Sequence, residues 1–128
     1  MAPTIVHFEI PSDNIDRAKK FYNNLFGWNM EKVPGPMEYW MFATSANTNS
    51  KSEQTISGGV IERKMSNEPI TIYIGVESVN DYAKKVEELG GKVIKPRTEV
   101  PGYGWFAVCM DTENNLFALW ETSATNTK

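Results

Sequence analysis

Histidine occurs only once in this sequence of 128 residues, at His7, and this count limits the chemistry of the chain. Sites that take two histidines from one chain are excluded, among them two-histidine-one-carboxylate iron sites and HExxH zinc sites. Cysteine also occurs once, at Cys109, which excludes four-thiolate zinc sites and an intrachain disulfide. No histidine lies near Cys109 in the sequence, so we do not expect it to act as a nucleophile.

His7 and Glu9 are the candidates for acid–base chemistry. They lie two residues apart in an alternating run, so on one strand their side chains share a face. An imidazole with a pKa near 6.5 beside a carboxylate can transfer protons, and we predict both as catalytic residues. The alternative is that His7 is a hydrogen-bonded structural side chain. Glu62 could form an acid–base pair with Glu9. The alternative is that Glu62, which lies beside Arg63 and Lys64, is a solvated side chain at a strand end.

Large apolar residues at strand positions could form a ligand slot. With regular alternation, Tyr73, Trp105 and Trp120 line the same concavity as Met41 and favour a planar or apolar ligand. The alternative is that these side chains are core packing. Tyr103 lies with Trp105 in a Pro-Gly-Tyr-Gly segment that could form a flexible rim, so we include it among the ligand-binding candidates.

The elements that position these residues repeat once along the chain. DRAKK at 16–20 returns as DYAKK at 81–85, and each copy precedes a leucine and a glycine. We predict two copies of strand, helix and three strands within a single domain over 1–124, the first module at about 4–64 and the second at about 69–122. We expect residues 44–55 to form a mobile polar loop and residues 123–128 to be a frayed polar tail.

Local signals give the approximate bounds of the elements. The first helix is predicted to begin at Ser12 or Asp13 and to end at Gly27, and the second to begin near Ser78 and end at 90–91. Val6, Phe8 and Ile10 form the apolar face of the first strand, and Ile70 to Val76 form its equivalent. Six more strands are predicted at 28–33, 38–43, 57–63, 92–96, 104–110 and 116–121.

This order of elements predicts an α+β fold. One strand-helix-three-strand module leaves half of its sheet unburied, and two such modules would curve into an incomplete barrel around a concave pocket. A pocket of this kind suits a small-molecule ligand.

Charge and hydropathy exclude other partners. The net charge is −3 with scattered Lys and Arg residues, so we expect no nucleic-acid partner. No apolar stretch approaches the roughly 20 residues of a membrane helix, so we expect no membrane partner. The single cysteine and the lack of a signal-peptide pattern at the start of the chain favour a cytoplasmic location.

Several motifs resemble the vicinal-oxygen-chelate superfamily, which includes glyoxalase I, bleomycin-resistance proteins, fosfomycin-resistance enzymes and extradiol dioxygenases. The motifs are HFEIP at 7–11, LFGW at 25–28, GGV at 58–60, EVPGYGWFA at 99–107 and FALWE at 117–121. The chain is most similar to the subgroup described as related to lactoylglutathione lyase. The resemblance implies paired βαβββ modules and a homodimer.

The resemblance also bears on metal binding. Metal-dependent members take up to four ligands, one from the first and one from the last strand of each module. The matching positions here are His7 and Glu62 in the first module, and Thr71 (or Tyr73) and Ala118 in the second. Alanine cannot bind a metal and a neutral hydroxyl is a poor ligand, so the resemblance implies a degenerate metal site. We expect no cofactor, with a divalent metal at His7 and Glu62 as the alternative.

Three functions remain open at this point. The first is a small-molecule pocket protein of the glyoxalase/bleomycin-resistance type, either a metal-free binder or an enzyme that uses His7 and Glu9 for proton transfer, with Thr71 among the ligand contacts. The second is a divalent-metal-dependent lyase or isomerase that acts next to a carbonyl, although the incomplete ligand set disfavours glyoxalase I itself. The third is a non-catalytic regulatory or structural dimer.

Overall fold

A computed structural model describes residues 3–34, 38–44, 56–65 and 68–123 of the chain. In this part of the chain two helices accompany eight strands in mixed parallel and antiparallel pairing, which confirms the α+β fold class. The elements in chain order are β1 (Thr4–Ser12), α1 (Ile15–Phe26), β2 (Glu31–Lys32), β3 (Tyr39–Ala43), β4 (Ser57–Glu62), β5 (Thr71–Gly75), α2 (Val79–Glu88), β6 (Lys92–Val100), β7 (Gly104–Met110) and β8 (Leu116–Thr122).

The chain divides into two compact units. The first unit is His7–Ile70, and the second unit is Thr71–Lys128 together with Met1–Val6. Most of the predicted loop at 44–55 and of the predicted tail at 123–128 lies outside the described residues. Neither described helix is long and apolar enough to span a membrane.

The first unit contains the strand order β2-β3-β4-β1, in which β1 belongs to this unit from His7 onward, and α1 lies against one face. β1 runs parallel to β4, and β3 runs antiparallel to β4. Because side chains alternate along a strand, this pairing separates an apolar face from a polar one. Phe42 and Val60 are buried on the apolar face, with 4% and 0% of their surface exposed. The ring of Trp28 stacks on Phe42 at 4.9 Å between centroids.

Helix α1 begins at Ile15, three residues after the earliest predicted position. Ser12 belongs to β1, and its hydroxyl accepts a hydrogen bond from the backbone amide of Asn14. Asn14 then caps the helix, because its side chain accepts the amide of Arg17 at 3.0 Å. The helix ends as predicted at Gly27, whose φ of 78° is the left-handed conformation that glycine adopts without strain.

The second unit contains the strand order β5-β8-β7-β6 with α2 against it. β5 runs parallel to β8, and the other two pairings are antiparallel. Its core joins four buried residues from α2, β7 and β8, namely Val79, Ala107, Cys109 and Leu119. Ser78 caps α2 by accepting the amide of Asp81, as the sequence predicted for this helix start.

Strand β6 continues beyond Pro96, where the sequence predicted its end, and reaches Val100. Its register against β7 shifts between Val93 and Lys95 and again between Lys95 and Thr98. Proline has no amide hydrogen to donate to a ladder, so strands tolerate it at irregularities of this kind. The shifts therefore let the strand pass through Pro96 and resume its pairing.

Candidate functional site

The polar face of the first unit brings together side chains from three strands. His7 and Glu9 lie on β1, and Ser57 lies directly opposite His7 on β4. Tyr39 on β3 shares the face, because it is opposite Ile61, which is four residues along β4 from Ser57. We call these four residues (His7, Glu9, Tyr39 and Ser57) the His7 cluster.

Short hydrogen bonds link the members of the His7 cluster into a chain. The Ser57 hydroxyl lies 2.6 Å from Nδ1 of His7, and the Tyr39 hydroxyl lies 2.6 Å from Nε2. The Tyr39 hydroxyl donates to Oε2 of Glu9 at 2.8 Å. All four side chains are partly buried, where such bonds are stronger than they are in water.

The protonation state of His7 follows from its burial. Loss of hydration on burial lowers the pKa of His7 from 6.5 to about 4, so the ring is neutral at pH 7. The single hydroxyl hydrogen of Tyr39 is given to Glu9, so Nε2 must carry the ring hydrogen that it donates to Tyr39. Nδ1 then accepts from Ser57. All three hydrogen bonds of the His7 cluster therefore run in one direction, from Ser57 through His7 and Tyr39 to the Glu9 carboxylate.

The structure does not bring His7 and Glu62 together. His7 is opposite Ser57, whereas Glu62 is opposite Ser12 at the other end of β4. Five residues of strand correspond to about 16 Å, which is too far for both side chains to bind one ion. The expectation that they form a metal pair is corrected by this register.

Apart from this distance, the described residues do not suit the divalent metal that the resemblance implies. Among them, no group of three or more His, Cys, Asp or Glu side chains is placed to hold a metal ion. Both ring nitrogens of His7 are engaged by hydroxyl groups. Neither ring nitrogen is therefore left to bind a metal ion.

In the second unit, the other two positions at which the resemblance implies metal ligands lie side by side. Tyr73 on β5 is opposite Ala118 on β8, and Ala118 is fully buried. Thr71 lies two residues before Tyr73 on the same face of β5 and is half-buried. None of the three is a strong ligand for a divalent ion.

Trp105 does not share a face with Trp120, so this part of the predicted ligand slot is corrected. In the pairing of β7 with β8, Trp105 is opposite Glu121, and Trp120 is opposite Phe106. Trp105 therefore lies on the face that packs against α2, where the Arg97 guanidinium lies 4.4 Å from its ring centre. Phe106 takes the place on the Tyr73 and Trp120 face that the sequence assigned to Trp105.

Met41 and Tyr103 are both accessible. Met41 lies on the polar face of the first unit, opposite Gly59, and 37% of its surface is exposed. Tyr103 lies in the turn before β7 and is 51% exposed. The roles of Met41, Thr71, Tyr73, Tyr103 and Trp120 in ligand binding stay predictions.

Sequence reasoning missed Tyr39 and Ser57. Tyr39 is two residues from Met41 on β3, so the alternation that placed Met41 on this face placed Tyr39 there too. No comparable local signal existed for Ser57, because its place opposite His7 depends on how β1 and β4 pair.

A comparison with known protein families finds a match over residues 4–45 to the family described as bleomycin resistance protein-like N-terminal. An anthracycline biosynthesis protein, DnrV of Streptomyces peucetius, is 27% identical over 126 residues, which cover 88% of this chain and 45% of the relative. A putative glyoxylase, CFP32 of Mycobacterium bovis, is 28% identical over 83% of this chain and 41% of its own length. The chain thus spans about half the length of these relatives.

Another relative is comparable to this chain in length. A glyoxylase-like domain-containing protein of Didymella fabae is 29% identical over 118 residues, which cover 87% of this chain and 88% of the relative.

Solved structures with the same fold include methylmalonyl-CoA epimerases. The Streptomyces coelicolor enzyme in complex with 2-nitronate-propionyl-CoA superimposes with a TM-score of 0.71 and 14% identity, over 94% of this chain and 95% of that one. A methylmalonyl-CoA epimerase in complex with methylmalonyl-CoA and NH4+ gives a TM-score of 0.69 and 16% identity, over 94% of both chains. At this identity the likeness shows the fold alone.

Proposed function

The chain is a member of the vicinal-oxygen-chelate (glyoxalase/bleomycin resistance) superfamily, and we propose that it binds a small organic molecule and moves a proton on it. The family match, the glyoxalase-like relatives and the epimerase structures all indicate this superfamily, as the sequence motifs predicted. The superfamily hosts many reactions on one fold, so the argument for an activity depends on the residues of the site.

The main support for the proposal is the series of hydrogen bonds in the His7 cluster that ends at Glu9. Glu9 is the only carboxylate in the His7 cluster, and the Tyr39 hydroxyl donates to one of its oxygens. A positioned carboxylate can act as a general base toward a hydrogen on carbon next to a carbonyl. The C–H bond breaks, the proton forms an O–H bond on Glu9, and the electron pair moves onto the carbonyl oxygen as an enolate.

The neutral His7 ring holds this base in place. Its Nε2–H group donates to Tyr39, which leaves the single hydroxyl hydrogen of Tyr39 available for Glu9. Because the pKa of His7 is lowered to about 4, the ring brings no positive charge beside Glu9 at neutral pH. We propose Glu9 as the proton acceptor and His7 as a group that orients Tyr39.

A metal-dependent lyase is the weaker candidate. It would need His7 and Glu62 on one ion, and the pairing of β1 with β4 holds them about 16 Å apart. A metal-free binder uses the same surface without chemistry, so the experiment below separates binding from proton transfer.

The test is hydrogen exchange of methylmalonyl-CoA in D2O, followed by proton NMR at its C2 position. This compound is the ligand in one of the solved epimerase structures, and its C2 hydrogen lies between two carbonyl groups. We expect exchange with the wild-type protein that chelators leave unchanged. Glu9→Gln should slow the exchange by about 10²- to 10⁴-fold, the usual contribution of a general base.

Glu62→Gln is the matched control, because it removes a carboxylate at the far end of β4. It should exchange at the wild-type rate. Exchange that is equally fast in Glu9→Gln would contradict the assignment of the base. Tight binding of methylmalonyl-CoA without hydrogen exchange would indicate that the protein binds a small molecule and does not transfer a proton. A parallel assay with the hemithioacetal of methylglyoxal and glutathione tests the lyase alternative, and turnover there that chelators abolish would favour it.

A further inference from the structure

Two neighbouring glycines on β4 face opposite sides of the sheet. Gly58 and Gly59 are both buried and lie in the middle of the strand. Neither is among the described glycines with positive φ, which are Gly27, Gly90 and Gly102. Conformational freedom therefore does not explain the pair, and the space around each residue must be considered instead.

Gly58 makes room in the hydrophobic core. A methyl group at this position would collide with the ring of Phe42 and would lie 2.7 Å from Cζ of Phe8. These two rings already meet edge to face with their centres 5.7 Å apart. Gly58 thus allows two aromatic rings to pack over β4 on the face that α1 covers.

Gly59 makes room on the polar face. A methyl group there would lie 2.6 Å from the Tyr39 hydroxyl oxygen and 2.7 Å from Cε1 and Cζ of the same ring. Among the described residues, and apart from the two chain neighbours of Gly59, no atom lies nearer to this position than these three. The space above Gly59 is therefore filled by the end of the Tyr39 side chain.

The strand register explains why Tyr39 needs this space. Gly59 is opposite Glu9 on one side and opposite Met41 on the other, whereas Tyr39 is opposite Ile61. To reach Glu9 and His7 from β3, the Tyr39 ring has to cross β4 diagonally. It crosses directly over Gly59.

We propose that Gly59 is a positioning residue, whose missing side chain leaves the path along which Tyr39 reaches His7 and Glu9. The inference rests on the proposed function, since it concerns the same site. A side chain at position 59 would displace the Tyr39 hydroxyl group and break its hydrogen bonds to His7 and Glu9. Since the atoms it would displace are the far end of one side chain, the main effect should fall on the site and not on the fold.

The experiment uses the single histidine of the chain as a reporter. In protein labelled with ¹⁵N-histidine, NMR distinguishes the ring nitrogen that carries hydrogen from the one that does not. The wild-type protein should show one tautomer, with the hydrogen on Nε2, and a pKa of about 4. In Gly59→Ala, the signals should report a mixture of tautomers, and the pKa of His7 should rise toward 6.5 because water reaches the ring.

Tyr39→Phe provides the reference for a lost hydroxyl group. It should give a similar mixture of tautomers, and the double variant Gly59→Ala/Tyr39→Phe should show little change beyond either single variant. Gly58→Ala is the matched control. It should lower Tm through the crowded core but keep the wild-type tautomer and pKa of His7.

A folded Gly59→Ala protein with the wild-type tautomer and a pKa near 4 would overturn the proposal. If Gly59→Ala does not fold, the Tyr39→Ala background provides the test, because the missing ring leaves room for the methyl group. The proposal expects Gly59→Ala to cost little Tm there, and an undiminished loss of stability would overturn it. These readouts need no substrate, so they stand apart from the exchange assay that tests the proposed function.

Discussion

His7 and Tyr39 are joined by a hydrogen bond of 2.6 Å between Nε2 and the hydroxyl oxygen, and their rings are nearly parallel with an angle of 15° between planes. The bond requires a hydrogen on Nε2, because the Tyr39 hydroxyl donates to Glu9. The folded protein therefore selects one tautomer of the neutral ring. Protonation of His7 would place a charge in a partly buried environment, which is why its pKa is lowered.

The first prediction concerns stability at acid pH. The pKa of His7 is about 4 in the folded chain, against an ordinary value of 6.5, so the unfolded chain binds more protons between pH 4 and pH 6.5. The free energy of unfolding should therefore fall by about 3 kcal/mol as pH decreases from about 6.5 to about 4. Urea unfolding at a series of pH values measures this loss.

His7→Gln is the control for this prediction, since glutamine keeps hydrogen-bonding groups and does not titrate. Its stability should lose the component that titrates between pH 6.5 and pH 4. If the wild-type protein and His7→Gln show the same pH profile, or if the NMR signal of His7 titrates near 6.5, the assignment of a buried neutral ring is wrong.

The second prediction concerns metal. Nε2 of His7 donates to Tyr39 and Nδ1 accepts from Ser57, while Glu62 lies at the opposite end of β4. Elemental analysis of untagged protein, purified without chelator, should therefore find equal background metal in the wild-type protein and in His7→Ala. Near-stoichiometric metal that disappears in His7→Ala would instead support the metal-dependent lyase.

The third prediction concerns the start of helix α2. Its first amide, at Val79, donates to Oε1 of Glu121 at 3.0 Å, and the amide of Asp81 donates to the Ser78 hydroxyl. Because both bonds satisfy amides that have no partner within the helix, Glu121→Ala and Ser78→Ala should each lower the free energy of unfolding by about 1 kcal/mol. Urea unfolding measures the change.

Glu121→Gln and Glu113→Ala test the origin of that effect. Glutamine keeps an oxygen that can accept the Val79 amide, so Glu121→Gln should retain most of the stability. Glu113 is exposed in the turn before β8, and its substitution should change the stability by less than about 0.5 kcal/mol. A neutral effect of Glu121→Ala would show that this bond does not stabilise the helix.

Features that depend on neighbouring residues could be predicted from the sequence. The alternation along β1 placed His7 and Glu9 on one face and Phe8 on the other, because this alternation follows from strand geometry alone. The same is true of Ser78 at the start of α2 and of Gly27 at the end of α1, since capping residues act within a few positions.

Features that depend on pairing between distant strands could not be predicted. The placement of Ser57 beside His7 follows from the parallel register of β1 and β4, which are separated by α1 and two further strands. Trp105 was assigned to the wrong face for the same reason. One position of register decides whether Trp105 or Phe106 shares a face with Trp120, and that register is set by the pairing of β7 with β8.

The fourth prediction concerns Cys109, the only thiol of the chain. It is fully buried in the core of the second unit. Burial raises its pKa, and the negative charge of Glu87 raises it further. Since the thiolate is the reactive form, the folded protein should react with a thiol reagent at pH 8 only through rare opening of the core.

Unfolding in urea should release one fast-reacting thiol per chain, measured by the absorbance of the reagent's product. Cys109→Ser should lower the free energy of unfolding by about 1 to 3 kcal/mol, because a hydroxyl group in this apolar core costs more than a thiol. Cys109→Ala, which adds no polar atom, should cost less than Cys109→Ser. Fast labelling of the folded protein would mean that Cys109 is accessible, and it would contradict the expectation that Cys109 does not act as a nucleophile.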